Sequence, residues 1–421
     1  MISLSDRSSH YGLLMGNFAV STLGWLVTAG LMLLDPQLLL QHYYQGRTIA
    51  MVHSFTLLTI SPAILGVLYQ LLPVVVEGAL ASRPLAWITS LLWWTGATGF
   101  VISRFFNLAA LSVFAVLLFL AILLFLLQLT LTVNSGHWNG PARLVVAASL
   151  WLLVMALSGS FMSARVSGAL SGFSLMQWHT WTGMIGWFAL MVVALGTRLL
   201  PMFLLSHGMQ ERWALASGIL LAVFPCLLFV AMLLDWEFRW IPTLVAVLGY
   251  ALFLIYLFSC IRKRMRRRLE AGMSLFVISF AFPLIALILL MAGWDVALIL
   301  STTGRASSPA WSAGAALCML AGFVGSATLG MSFKILPFMG WMAVQSRVPQ
   351  STTSQLNPRS LAAPALQRIL LVAYPISVIA LLIGMHYREV LHFAALLFLI
   401  CTLINAAHFI YIVREVARRS L

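Results

Sequence analysis

Two histidines stand at the start of long apolar runs that finish alike. His53 opens "HSFTLLTISPAILGVLYQLLP", which closes at Pro73, and His179 opens "HTWTGMIGWFALMVVALGTRLLP", which closes at Pro201. Neutral imidazole is a common metal ligand, and the thioethers of nearby Met51, Met176 and Met184 are soft donors of the kind that suits copper. His179, Gly183 and Gly186 fall at i, i+4 and i+7 on one helix face. Small residues there let a flat ring approach, or let a neighbouring helix pack closely. The plainer readings are an interfacial histidine near each helix end and methionines that only pack or face lipid.

The elements that position these residues follow from composition. The chain is 62% hydrophobic and 8% charged over 421 residues, and its mean hydropathy is +1.02. A soluble protein of that length could not hide so much apolar surface. A bilayer-spanning helix needs about 20 apolar residues, and twelve such stretches are present: 11–35, 49–76, 84–106, 108–133, 141–163, 178–205, 212–234, 240–260, 272–298, 310–343, 367–385 and 389–413. No extended polar stretch remains for a soluble domain. The first residues show neither the basic region nor the small-residue cleavage site of a signal peptide. An all-α polytopic membrane protein of one domain is expected.

Charge sets the expected orientation. Twelve spans place both termini on one side. Loops on that side hold 18 of the 24 basic residues, including the run "RKRMRRR" from Arg262 to Arg268. The other six are Arg47, Arg104, Arg165, Arg239, Arg305 and Arg388. The positive-inside rule then puts the termini in the cytoplasm, as for a bacterial inner membrane. The basic run reads as a stop-transfer loop beside anionic lipid rather than a nucleic-acid surface.

The ten acidic residues all fall in loops or near helix ends: Asp6, Asp35, Glu77, Glu211, Asp235, Glu237, Glu270, Asp295, Glu389 and Glu415. Proton relays and many cation-coupled carriers need intramembrane carboxylates, so a proton pump or proton-coupled carrier is disfavoured. Cys226, Cys260, Cys318 and Cys401 are scattered singly, which indicates neither a redox disulfide nor a thiolate metal site.

A repeat underlies the two histidine runs. "GVLYQLLP", "GTRLLP" and "SFKILP" end at Pro73, Pro201 and Pro337, so the motif recurs at nearly equal intervals. Gln70, Arg198 and Lys334 each stand three residues before the proline, where a long polar side chain can snorkel to the headgroups while proline stops the helix. Arg47, Arg165 and Arg305 precede the units. Three four-helix repeats in the same direction are expected, at about 11–133, 141–260 and 272–413.

Twelve helices in three four-helix arcs resemble subunit I of the heme–copper oxidases. "MVHSFTLLTISPAILGVLYQLLPVV" is similar to that family's helix II, whose outer-side histidine binds the low-spin heme, and "WSAGAALCMLAGFVGSATLGMSFKILPFMGW" is similar to helix X. The pattern "H…G…M…G…R" of the sixth helix also resembles the NnrS family, twelve-helix heme- and copper-containing membrane proteins associated with nitric oxide stress. The resemblance implies heme b at His53 and assigns His179 only as its repeat equivalent.

Departures limit the carry-over. Active oxidases place two histidines on helix X and a His-His pair on helix VII, and neither is present here. Where they have a cross-linked tyrosine four residues after the helix VI histidine, this chain has Gly183. A complete terminal oxidase is therefore not expected. A six-coordinate heme would need a second ligand, imidazole or methionine. In the oxidase arrangement His392 would face His53; His179 is the alternative by repeat, and His386 is a weaker substitute. Arg47, six residues before His53, suits a heme propionate, because guanidinium pairs bidentately with carboxylate. It would otherwise be a plain interfacial arginine. His408, one turn after Asn405, reads as an interhelical hydrogen bond, while His10, His137 and His207 are loop residues.

Two functions fit. One is a heme- and/or copper-binding protein in electron transfer, nitric oxide handling or metal homeostasis, working with a redox partner or respiratory complex subunit. The other is a non-redox permease or respiratory-complex assembly factor that keeps the shell. Parallel repeats also occur in carriers, so the repeat alone does not separate them.

The charge division makes a topological prediction. In a cysteine-free background, a cysteine placed at Ser8 or Ser351 should react with a membrane-impermeant maleimide only after permeabilisation. Labelling in intact cells would contradict the orientation.

Overall fold

The computed structural model describes residues 11–42, 44–163, 175–234, 240–265, 268–301, 310–346 and 357–420. Arg165, Arg239, Arg305, Arg347, Arg266, Arg267, His10, Asp6, Asp235 and Glu237 lie outside these residues. Among the described residues the chain is all-α, with twelve helices long and apolar enough to cross a membrane. They are α1 (Tyr11–Leu34), α2 (Gly46–Val75), α3 (Arg83–Phe106), α4 (Leu111–Asn134), α5 (Gly140–Met162), α6 (Leu175–Leu204), α7 (Glu211–Leu233), α8 (Trp240–Arg262), α9 (Ala271–Ala292), α10 (Trp311–Gln345), α11 (Pro364–Gly384) and α12 (Arg388–Ser420).

The α9 run is interrupted. It breaks after Ser279 and resumes at Phe282, continuing to Ser301. Pro283 explains the break: its ring displaces the carbonyl four residues earlier, and it offers no N–H.

Contacts divide the chain into two compact units. One comprises Met1–Gln70, Ser90–Val116 and Glu270–Leu421, and the other Leu71–Thr89 and Leu117–Leu269. The second unit contains all of 141–260, the expected middle repeat, and the first contains all of 272–413.

Burial singles out one helix per repeat. In α2, α6 and α10 the apolar window is 83%, 67% and 83% buried, against 28–50% in the other nine. These three are core helices, and each carries the repeated proline. Helix α4 shows the opposite pattern, exposing Val113, Val116, Leu120, Leu127 and Leu131 along one apolar side.

Each core helix contains a π-helical segment: Ser54–Ile60 in α2, Thr182–Ala189 in α6 and Cys318–Gly325 in α10. Ser54, Thr182 and Cys318 stand at one and the same offset from Pro73, Pro201 and Pro337, so the bulge belongs to the repeated unit. A π turn shifts hydrogen bonding from i+4 to i+5 and leaves carbonyls displaced from the ladder. Two of these are met by a side chain of the following helix. Trp93 Nε1 of α3 donates to the Leu57 carbonyl at 2.9 Å, and the Tyr374 hydroxyl of α11 donates to the Ala321 carbonyl at 2.8 Å. Leu57 and Ala321 hold the same place relative to Pro73 and Pro337.

The prolines do not stop the helices. Helix α2 runs to Val75, α6 to Leu204 and α10 to Gln345, past Pro73, Pro201 and Pro337. What ends the first two is a left-handed residue four positions later, Glu77 (φ 56°) and Leu205 (φ 51°). The following N–H then reaches back: Gly78 donates to the Pro73 carbonyl at 2.9 Å, and Ser206 to the Pro201 carbonyl at 3.1 Å. This is a Schellman-type closure. The third repeat lacks it and its helix continues.

The polar residues three before each proline also depart from simple snorkelling. Gln70 is buried. Arg198 Nη1 lies 3.3 Å from Glu211 Oε1 at the start of α7, with both side chains 44% exposed. Lys334 pairs with Glu270, which Arg359 also engages at 2.5 Å. Each cation has a carboxylate within reach, which anchors it more specifically than a headgroup does.

At Gly24 of α1 the packing against a bulge is backbone to backbone. A Cβ there would sit 2.5 Å from the Leu58 carbonyl carbon, whereas one at Gly30 would meet nothing within 4 Å. Gly24→Ala should therefore destabilise the protein by about 1–3 kcal/mol, and Gly30→Ala should not. Thermal unfolding of the detergent-solubilised variants checks this; equal melting temperatures for the two would contradict the packing.

Candidate functional site

In the first unit, His53 is the last residue before the π segment of α2. Its Nδ1 lies 2.8 Å from the Ile49 carbonyl. A carbonyl only accepts, so Nδ1 is the donor and the neutral ring carries its lone pair on Nε2. That tautomer is the one ligating histidines adopt when a backbone carbonyl orients them. The half-buried ring lies 5.2 Å from Phe100 of α3, tilted by 47°.

Helices α2 and α3 run antiparallel here, and their shared end is basic. The Arg47 guanidinium lies over the Phe105 ring at 5.2 Å, a cation–π contact that holds it flat. Arg104 follows one turn after Phe100 on α3. Gly46, Arg47, Arg104, Phe105, Phe106 and Asn107 line a cavity of about 530 Å³. Among the described residues no carboxylate pairs with Arg47 or Arg104. The arrangement is an anion seat with an oriented imidazole roughly 9 Å further along α2, at 1.5 Å per residue.

In the second unit, His179 faces α5. Its Nδ1 is 3.0 Å from the Met155 carbonyl and 2.9 Å from Ser158 Oγ, which itself donates to Met155. A Cβ at Gly183 would lie 2.6 Å from Met155 Sδ, and one at Gly186 would lie 3.0 Å from the Trp151 ring. The small-residue face of α6 is therefore a packed seam against α5. A second cavity in this unit, of about 230 Å³, lies between Glu77 and Arg198.

The other sequence candidates are dispersed. His392 is exposed beside Phe393 on α12, whose buried face carries Leu391, Ala395 and Phe398. His386 is exposed and lies 5.1 Å from Trp311. Met51 and Met184 are buried, and Met176 is half-buried one turn before His179. His408 is buried, and Gln367 Nε2 lies 3.0 Å from its Nε2. Among the described residues no group of three His, Cys, Asp or Glu side chains could hold a metal ion.

A heme can be tested against these surroundings. His53 and the two arginines suit it: an oriented Nε2 donor, and two guanidiniums for carboxylates. The face of His179, Gly183 and Gly186 does not suit it, because Met155 and Trp151 fill the space a flat ring would take. Arg104, Ile49 and Ser158 were not distinguishable in the sequence. Arg104 is far from Arg47 along the chain, on the next helix, and only the α2–α3 register joins them. A scan against models of known protein families finds no match to the chain, and a search of curated proteins finds none either.

Proposed function

We propose that the chain is a membrane heme protein of the heme–copper oxidase-like and NnrS-like kind. His53 would bind a heme b through Nε2, and Arg47 with Arg104 would hold its propionates. The protein lies in the bacterial inner membrane with both termini cytoplasmic, and acts in electron transfer, nitric oxide handling or metal homeostasis beside a redox partner. A bound heme would supply one-electron or gas-binding chemistry. The chain's own residues orient the ligand, balance the propionate charge and exclude water: Ile49 fixes the imidazole, Phe105 holds Arg47 flat, and Phe100 covers the ring.

The observation that carries the reading is the Nδ1 hydrogen bond of His53, 2.8 Å to the Ile49 carbonyl, in the unit that also holds the two arginines of the anion seat. The absence of the helix VII and helix X histidines argues against a complete terminal oxidase. A permease or assembly factor is the second reading. The packed His179 seam and the exposed position of His392 favour it: the His179 ring is held against α5, and His392 lies on the exposed side of α12.

Absorption spectroscopy with pyridine hemochrome analysis separates the two. Protein purified from cells supplied with heme and copper should show a b-type Soret band, and His53→Ala should abolish or strongly alter it. A monodisperse, helical wild type without Soret absorbance would overturn the heme reading and leave the permease or scaffold in its place.

A further inference from the structure

The α5–α6 seam has a constant register. Trp151 meets Gly186, Met155 meets Gly183, and Ser158 with Gly159 meets His179. Each step of one turn back along α6 is matched by one turn forward along α5, so the next antiparallel pair is Met162 with Met176. Both are half-buried, as a site that exchanges metal with its surroundings requires. The orientation of His179 points the same way. Its Nδ1 lies against Met155 and Ser158, and its Cε1 would be 3.2 Å from a Cβ on Gly159. From Nδ1 to Cε1 the ring thus runs along α5 from Met155 towards Gly159. Because Nδ1 donates to the Met155 carbonyl, the lone pair sits on Nε2, the next ring atom after Cε1.

We propose that this end of the seam is a Cu(I) site formed by His179 Nε2 and the thioethers of Met162 and Met176. Thioether donors select Cu(I) over harder divalent ions, and imidazole is compatible with it. No acidic residue adjoins the three on either helix, which disfavours a divalent hard cation. Ser158 Oγ and the Met155 carbonyl act as the outer partners that hold the imidazole in the ligating tautomer. Met155 belongs to the packing: its sulfur lies over Gly183, on the Nδ1 side of the ring. The site uses none of the residues of the heme reading and stands without it.

The test is an anaerobic competition titration of the purified full-length protein with Cu(I) against a chromogenic Cu(I) chelator, repeated with Ag(I) as a redox-inert probe. Wild type should withdraw one Cu(I) per chain. Met162→Leu and Met176→Leu should each weaken binding by about tenfold or more, since even outer-shell losses have that effect, and His179→Ala should abolish it. Leucine keeps the volume of methionine, so these variants retain the fold, and Met191→Leu, at a buried methionine elsewhere on α6, should bind as wild type does. His53→Ala should also leave copper binding unchanged, which separates failure of this site from failure of the heme. Absence of Cu(I) withdrawal by wild type, unaltered binding in the Met162 and Met176 variants, or an equal loss in Met191→Leu would overturn the proposal.

Discussion

A membrane-buried backbone must satisfy its own hydrogen bonds, because lipid supplies neither donors nor acceptors. The three core helices meet that constraint under an added difficulty: each contains a π segment that displaces carbonyls from the regular ladder. The remedy is visible in two of them, where Trp93 and Tyr374 supply indole and phenol donors at equivalent carbonyls. These donors come from the helix that follows, so the bulge and its neighbour are tied together. The same three helices are the most buried, and at the α2 bulge Gly24 lets the α1 backbone approach Leu58 closely.

The repeated bulge has acquired different surroundings in each repeat. In α2 it follows His53, whose ring is set by Ile49 and lies below two arginines without carboxylate partners among the described residues. In α6 it begins three residues after His179, whose ring is set by a carbonyl of another helix. In α10 no histidine is present; Gly325 instead admits the Tyr374 hydroxyl, which would lie 2.5 Å from a Cβ. One backbone frame thus carries a histidine set by its own helix in α2, a histidine set by a neighbouring helix in α6, and none in α10. π segments often sit at functional positions, and here two of the three adjoin the imidazoles.

Twelve spans and the threefold spacing of the Leu-Pro endings could be read from the sequence, because hydropathy and proline position are local signals. The π segments could not, since one extra residue per turn leaves an apolar run looking the same. The helix ends were misread for a related reason. Glu77 and Leu205 adopt left-handed backbone without being glycine or asparagine, so nothing in their type marks them as caps. The anchoring of Lys334 by Glu270 depends on residues 64 apart. Of the candidate site, His53 and Arg47 were found from their helix, whereas Arg104 and Met162 emerge only from the pairing of α2 with α3 and of α5 with α6.

The central claim is that one bulged helix has been used three times. A cryo-electron microscopy map of the protein in lipid nanodiscs, at a resolution that shows carbonyl direction, tests it most directly. The expected result is i+5 hydrogen bonding that begins at Ser54, Thr182 and Cys318, each at the same offset from its repeat proline, with Trp93 and Tyr374 donating to the Leu57 and Ala321 carbonyls. Regular α-helix through any of the three segments, or bulges at unequal offsets from Pro73, Pro201 and Pro337, would contradict it.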